Sequence, residues 1–324
     1  MKERPLFFIL GRERSGTTLL QNLLNNHPEI FVPNEAPFIS FLYPKYSKKK
    51  NICPKQFVKD IFLEPYIFLW EIDKSKLLAQ LEATEDRSFS NFCKIVLDYH
   101  NSKNAKILGD KNPVHSLFGN ILAATFPDAK FIWITRDYRA QVNSMLKVNF
   151  ERKNVASLAI RWKIYNKEIE KLQQKFPEKV MHINYEDLVV SPKIILAETC
   201  TFLGTNYLEG MNLNEDAGNK RIAEHHKSLQ KNINSENLED WKTELTDKQQ
   251  LICEVLAGEF GKQFGYERLH SKKNIPWDPK GVILGCLYVP FLKAYQKLPV
   301  SWKNWLGNNI IRPNFDFWKK TAQL

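Results

Sequence analysis

The chain lacks the cysteine pattern of a secreted scaffold. Its five cysteines, Cys53, Cys93, Cys200, Cys253 and Cys286, are odd in number, widely spread and never spaced Cys-x-x-Cys. Such a set argues against a disulfide framework and against a zinc site, and it leaves reduced thiols in a cytosolic protein as the simplest account. Long apolar runs are missing too. Residues 6–10 are too short for a signal-peptide core and no small-residue cleavage site follows them. The longest run, residues 281–292, is broken by Gly285 and Pro290, so no stretch is long enough to span a bilayer. There are no internal repeats and no low-complexity tract. These absences predict a globular, cytoplasmic protein.

What is present suits that prediction. The 324 residues are 43% hydrophobic, ample for a buried core in two domains or in one α/β domain with insertions. Lysine and arginine number 47 against 36 acidic residues, a formal net charge of +11. An excess of this size favours anionic partners (nucleotides, nucleic acid, acidic glycans, a lipid surface), with a basic solvated exterior as the plain alternative.

Residues 5–10, Pro-Leu-Phe-Phe-Ile-Leu, read as a buried strand. A glycine-bearing loop follows at residues 11–18, and then apolar residues at helical spacing through Asn25. Residues 36–105 are rich in Phe, Tyr, Lys and Leu, mostly helical in pattern, and read as an insertion forming one wall of a substrate cleft. Further strands are predicted at 106–108, 130–135 and 180–183, with helices at about 116–125, 140–146, 153–174 and 196–203. Strands alternating with helices predict an α/β fold with a mostly parallel central sheet, P-loop NTPase-like, with helices on both faces. Ligands on such sheets bind beyond the carboxyl ends of the strands. The loops at those ends carry Arg14 to Thr18, Asp110 and Lys111, Arg136, and Tyr185.

The loop Gly11-Arg-Glu-Arg-Ser-Gly-Thr-Thr18 has its glycines where a Walker A motif would, but Thr17 stands where the motif has lysine. A kinase or NTPase needs that lysine on the β- and γ-phosphates and a hydroxyl on Mg²⁺. This loop offers Arg14 and the hydroxyls of Ser15, Thr17 and Thr18 instead, which suits a phosphate-bearing donor without a magnesium clamp.

With these residues in view, Arg14-Ser-Gly-Thr-Thr-Leu-Leu20 resembles the 5′-phosphosulfate loop of the sulfotransferase superfamily, whose donor is 3′-phosphoadenosine 5′-phosphosulfate, PAPS. Ile134-Thr-Arg-Asp-Tyr-Arg-Ala-Gln-Val-Asn-Ser144 resembles its 3′-phosphate segment, an arginine after a strand with a serine eight residues on. Arg136 is suited to this as a bidentate fork for phosphate. Asp137 admits two other readings, a salt bridge to Arg136 or a Walker B acid. The resemblance spans about residues 6–265 and is closest to the branch containing protein-tyrosine sulfotransferases and many bacterial relatives. It implies a donor site of Arg14, Ser15, Gly16, Thr17, Thr18, Arg136, Ser144, Tyr185 and Lys231, the last in a late donor-covering loop. It implies Glu35 as the catalytic base, with Arg14 and Lys111 meeting charge on the leaving oxygen, and no metal. His115 is the rival base. His225 and His226 are adjacent, so they point apart in regular structure and make poor joint ligands.

The expected reaction is sulfuryl transfer from PAPS to an acceptor hydroxyl, of a carbohydrate or glycolipid. The alternatives are a P-loop kinase or NTPase-like enzyme and a non-catalytic nucleotide-binding module. No nucleic-acid partner is expected. Residues 1–270 read as the donor-binding domain and 271–324 as an aromatic, basic extension. That extension is a helical cap on the core or, as the alternative, a peripheral contact with the inner membrane surface.

Overall fold

The computed structural model describes residues 4–149, 153–212, 238–270 and 278–306. Five strands form one sheet: β1 (Leu6–Leu10), β2 (Ile30–Phe31), β3 (Ile107–Lys111), β4 (Lys130–Thr135) and β5 (Val180–Asn184). Their order is β2-β3-β1-β4-β5, and every neighbouring pair is parallel. Parallel neighbours need crossover connections, and helices supply them.

The first half of the chain contributes α1 (Thr17–Asn25), then α2 (Phe38–Tyr46), α3 (Pro54–Ile61), α4 (Lys74–Glu82) and α5 (Phe89–Asp98) between β2 and β3. α6 (Gly119–Thr125) joins β3 to β4, and α7 (Tyr138–Leu146) and α8 (Val155–Lys175) join β4 to β5. After β5 come α9 (Tyr185–Val190), α10 (Pro192–Leu203), α11 (Trp241–Glu244) and α12 (Asp247–Cys253). A π-helical turn at Glu254–Gly258 leads into the short α13 (Glu259–Gly261), and α14 (Pro279–Lys297) and α15 (Val300–Leu306) close the described chain.

The pleat divides the core in two, because alternate residues of a strand face opposite sides. Leu6, Phe8 and Leu10 of β1 join Phe131 and Trp133 of β4 under α2–α5 and α6–α8. Phe7 and Ile9 join Ile132 and Ile134 under α1, α9 and α10. Both sheet faces are therefore covered, which explains why these strands read as unbroken apolar runs.

The structure differs from the sequence reading in three places. There are five strands rather than four, since Ile30–Phe31 pairs with β3 beside it. β3 does not end at residue 108 but runs to Lys111, with all five residues buried. The residues after it form a 3₁₀ turn, Pro113–Leu117, before α6 begins. No helix among the described residues is long and apolar enough to cross a membrane.

Candidate active site

The glycine loop turns from β1 into α1 at the carboxyl edge of the sheet. Gly16 takes φ +95° at the N-cap of α1, with no side chain capping the helix. The first backbone N–H groups of a helix have no intrahelical partners, so this end offers donors to an anion. A side chain at Gly16 has no room: a Cβ would stand 2.3 Å from Cδ2 of Tyr185. Arg14 also has a positive φ, 68°, a region uncommon for a residue with a Cβ and concentrated at functional sites. Ser116 pins the other end of the loop. Gly11 N–H donates to its Oγ at 2.9 Å, and that hydroxyl donates to the Gly11 carbonyl at 3.1 Å.

Beside the loop lies the segment that follows β4. Arg136 donates from Nη1 to the carbonyl of Arg14 at 3.2 Å, and its guanidinium sits 4.5 Å from the centre of the Tyr185 ring. Its Nε is buried and makes no hydrogen bond. Arg14 donates from Nε to Ser144 Oγ at 2.9 Å. Burial, and then the neighbouring charge of Arg136, push the Arg14 pKa below its ordinary value. Two half-buried guanidiniums held this close favour an anion between them. Arg14, Arg136, Ser144 and Tyr185 are thus gathered at one place. Asp137 is not the partner of Arg136. Its carboxylate caps α7 and holds the Arg139 guanidinium at 2.7 and 3.1 Å.

On the other flank, Lys111 ends β3 almost fully buried, forms an ion pair with Glu35, and donates to Thr18 Oγ1 at 3.1 Å. The Glu35 side chain remains 46% exposed, open to a molecule arriving from solvent. Its loop is tied down on two sides. From α1, Gln21 donates to the Pro33 carbonyl at 2.6 Å, and Asn25 exchanges bonds with Val32 at 2.8 and 2.9 Å. From the segment between α3 and α4, Trp70 Nε1 donates to the Asn34 carbonyl at 3.1 Å.

His115, the rival base, is wholly buried against Phe8, with Nδ1 3.2 Å from Asp110. It cannot meet an acceptor without opening the core. Lys231, His225 and His226 lie outside the described residues.

Four residues that hold the candidate site together have no marker in the sequence. Gln21 and Asn25 are ordinary polar helix positions, and Ser116 has no spacing signal. Arg139 is the fourth. Buried, it binds Asp137, donates to Glu254 at 3.0 Å and stacks 4.0 Å from the Trp241 ring. Glu254 lies in the π-helical turn and also accepts the backbone N–H groups of Leu269 and His270, each at 2.9 Å. The end of β4 is thereby fastened to Trp241, ten residues after Lys231 in sequence.

A parallel sheet with a glycine loop opening its first helix, and two arginines gathered beside that loop, define an α/β protein with a P-loop-like fold and no Walker lysine. The family model of the sulfotransferase family matches residues 5–209. The chain belongs to that family. A protein-tyrosine sulfotransferase of Drosophila melanogaster is 26% identical over 225 residues, 68% of this chain and 42% of that protein. Protein-tyrosine sulfotransferase 1 of Danio rerio is 26% identical over 255 residues, 74% of this chain and 66% of that protein. The chain thus spans 42% to 66% of the length of these curated relatives. Among solved structures, the sulfotransferase domain of the Synechococcus PCC 7002 olefin synthase superposes with a TM-score of 0.59 and 21% identity, covering 81% of this chain and 97% of that one. A sulfotransferase domain from the curacin biosynthetic pathway gives 0.53 and 20%, covering 82% and 99%. These two likenesses are of fold.

Proposed function

We propose that the protein transfers a sulfuryl group from PAPS to an acceptor hydroxyl. The observation that carries this reading is the meeting of the glycine loop with the Arg136–Ser144 segment, through the Arg14–Ser144 and Arg136–Arg14 hydrogen bonds. One group of side chains is thereby available to both ends of a 3′,5′-phosphorylated adenosine. Ser15, Gly16, Thr17 and Thr18 would hold the 5′-phosphosulfate, and Arg136, with its unused Nε, the 3′-phosphate, together with Ser144. Tyr185 packs against both. Lys231 is assigned to the donor site on sequence resemblance alone.

The acceptor oxygen forms a new bond to sulfur in line with the bond that breaks, the one from sulfur to the bridging oxygen of the 5′-phosphate. Glu35 takes the acceptor proton, and the electron pair of the broken bond leaves on adenosine 3′,5′-bisphosphate. A positioned carboxylate base contributes about 10²–10⁴-fold in such a step. Lys111 stands between Glu35 and Thr18, so it both orients the base and meets charge growing at the loop, with Arg14 as its partner. The scheme draws on no metal.

The acceptor wall is assigned to the insertion at residues 36–105. Supporting this, Trp70 is bonded to the backbone next to Glu35, and Tyr66 and Phe68 beside it are exposed. Flat aromatic faces of this kind suit a carbohydrate or glycolipid acceptor. A tyrosyl hydroxyl is the second reading, favoured by the names of the two relatives. A cytoplasmic setting belongs to the same account and is supported by five unpaired cysteines. The test is transfer of radiolabelled sulfate from PAPS to a panel of glycans, glycolipids and tyrosine peptides. Labelling of the peptides alone selects the second reading, and labelling of none contradicts the proposal.

A further inference from the structure

Among the described residues, α14 leaves one apolar side uncovered. It packs along α8 through small residues: a Cβ at Gly285 would stand 3.0 Å from Cβ of Ile160 and 3.2 Å from Cα of Ser157. Gly281, Gly285 and Val289 are its buried positions. Its larger apolar residues point away. Ile283, Leu284, Leu287 and Phe291 are 44–59% exposed, and Trp302 of α15 is 63% exposed. Spacings of one, three and four put the first four on one side of the helix. Scattered exposed apolar residues need no explanation, but a contiguous row on one helix face marks an interaction surface.

The charge around this row selects the partner. Residues 279–306 contain four lysines, Lys280, Lys293, Lys297 and Lys303, and no aspartate or glutamate. Lys293 is paired with Glu168, and Lys303 is buried with its ammonium on the Phe41 carbonyl at 2.8 Å. Lys280 and Lys297 are exposed, one near each end of the helix. An apolar row with lysines at its ends and an exposed tryptophan nearby fits a headgroup–acyl boundary, where lysine stems lie along apolar surface and their ammonium groups reach anionic lipids. The chain's net charge of +11 adds to the attraction.

We infer that α14, with Trp302, docks the protein on an anionic lipid surface, lying in the boundary rather than crossing it. The docking face is joined to the insertion: Lys303 of α15 holds the carbonyl of Phe41 in α2, the helix that starts three residues after Glu35. Docking therefore brings the surface close to the insertion, which suits an acceptor carried by lipid. This last step alone rests on the sulfotransferase reading.

The experiment is co-sedimentation of the full chain with vesicles of phosphatidylcholine, with and without phosphatidylglycerol. Binding of adenosine 3′,5′-bisphosphate is measured in parallel. The expected result is binding to the phosphatidylglycerol vesicles that weakens with salt. Leu287→Ser/Phe291→Ser should reduce it by about tenfold or more, and Lys280→Glu/Lys297→Glu should abolish the preference for phosphatidylglycerol. Bisphosphate affinity should be unchanged in both variants. The inference is overturned if the wild type fails to sediment with anionic vesicles, or if Leu287→Ser/Phe291→Ser binds them as well as wild type. It is also overturned if the wild type is a dimer that this double variant dissociates, since a second copy would then cover the face. Loss of bisphosphate binding in the wild type would count against the donor assignment and not against docking.

Discussion

Arg14 Nε donates to Ser144 Oγ at 2.9 Å across 130 positions of sequence. The bond joins the turn after β1 to the helix after β4, and those strands are neighbours only because the sheet order places β1 beside β4. The two halves of the proposed donor site are thus held together by the protein's own hydrogen bonds. Such preorganisation saves the ordering cost that a flexible site would meet on binding.

Arg136→Ala removes the proposed fork for the 3′-phosphate. A hydrogen bond to a charged group contributes about 1.5–3 kcal/mol, so affinity for adenosine 3′,5′-bisphosphate should fall roughly 10- to 100-fold by calorimetry. Affinity for adenosine 5′-phosphosulfate, which has no 3′-phosphate, should hardly change. An equal loss for both ligands would place Arg136 elsewhere in the site.

Glu35→Gln keeps the shape of the side chain and removes the base. The initial rate of sulfuryl transfer should drop by about 10²–10⁴-fold while bisphosphate affinity stays near wild type. A fully active variant would remove Glu35 from this role.

Gly16→Ala forces a side chain into the Tyr185 ring, at a φ of +95° that costs about 1–3 kcal/mol for a residue with a Cβ. Calorimetric Tm should fall and bisphosphate binding should be lost. Because part of the penalty is the clash, Gly16→Ala/Tyr185→Ala should be less destabilised than the sum of its two single variants. Simple additivity would mean the ring is not the obstacle.

His182 tests the packing just below the site. Burial pushes its pKa down to about 4 from 6.5, and it lies 2.8 Å from the Thr135 hydroxyl, one residue before Arg136. Between these two values the unfolded chain binds a proton that the folded chain refuses. Stability should therefore be complete above about pH 6.5 and fall as pH drops toward 4, by an amount on the order of 3 kcal/mol. Chemical denaturation of His182→Phe across this range should show a flatter profile. An unchanged profile would assign the acid sensitivity to other groups.

How far the sequence reveals this molecule depends on what each residue contributes. β1 and β4 are legible because strands covered on both faces are apolar throughout. β2 is two residues long, too short to carry any period. The end of β3 is concealed by polar residues: Asp110 and Lys111 read as loop, yet they are buried strand positions, with Asp110 bonded to Asn112 at 2.5 Å and Lys111 paired with Glu35. The glycine loop is legible as a motif because a local backbone shape needs its glycines at fixed positions. Ser116, Gln21 and Asn25 follow no such rule, since their roles arise only when distant segments meet. Arg139 looks like a surface residue until Asp137, Glu254 and Trp241 are seen around it.

The most direct test of the donor assignment is calorimetric titration of the full chain with adenosine 3′,5′-bisphosphate, adenosine 5′-phosphate and ATP with Mg²⁺. The geometry around Arg14, Arg136 and Ser144 predicts that the bisphosphate binds at least about tenfold tighter than either of the others. Tighter binding of ATP with Mg²⁺, or no binding of the bisphosphate, would contradict the account.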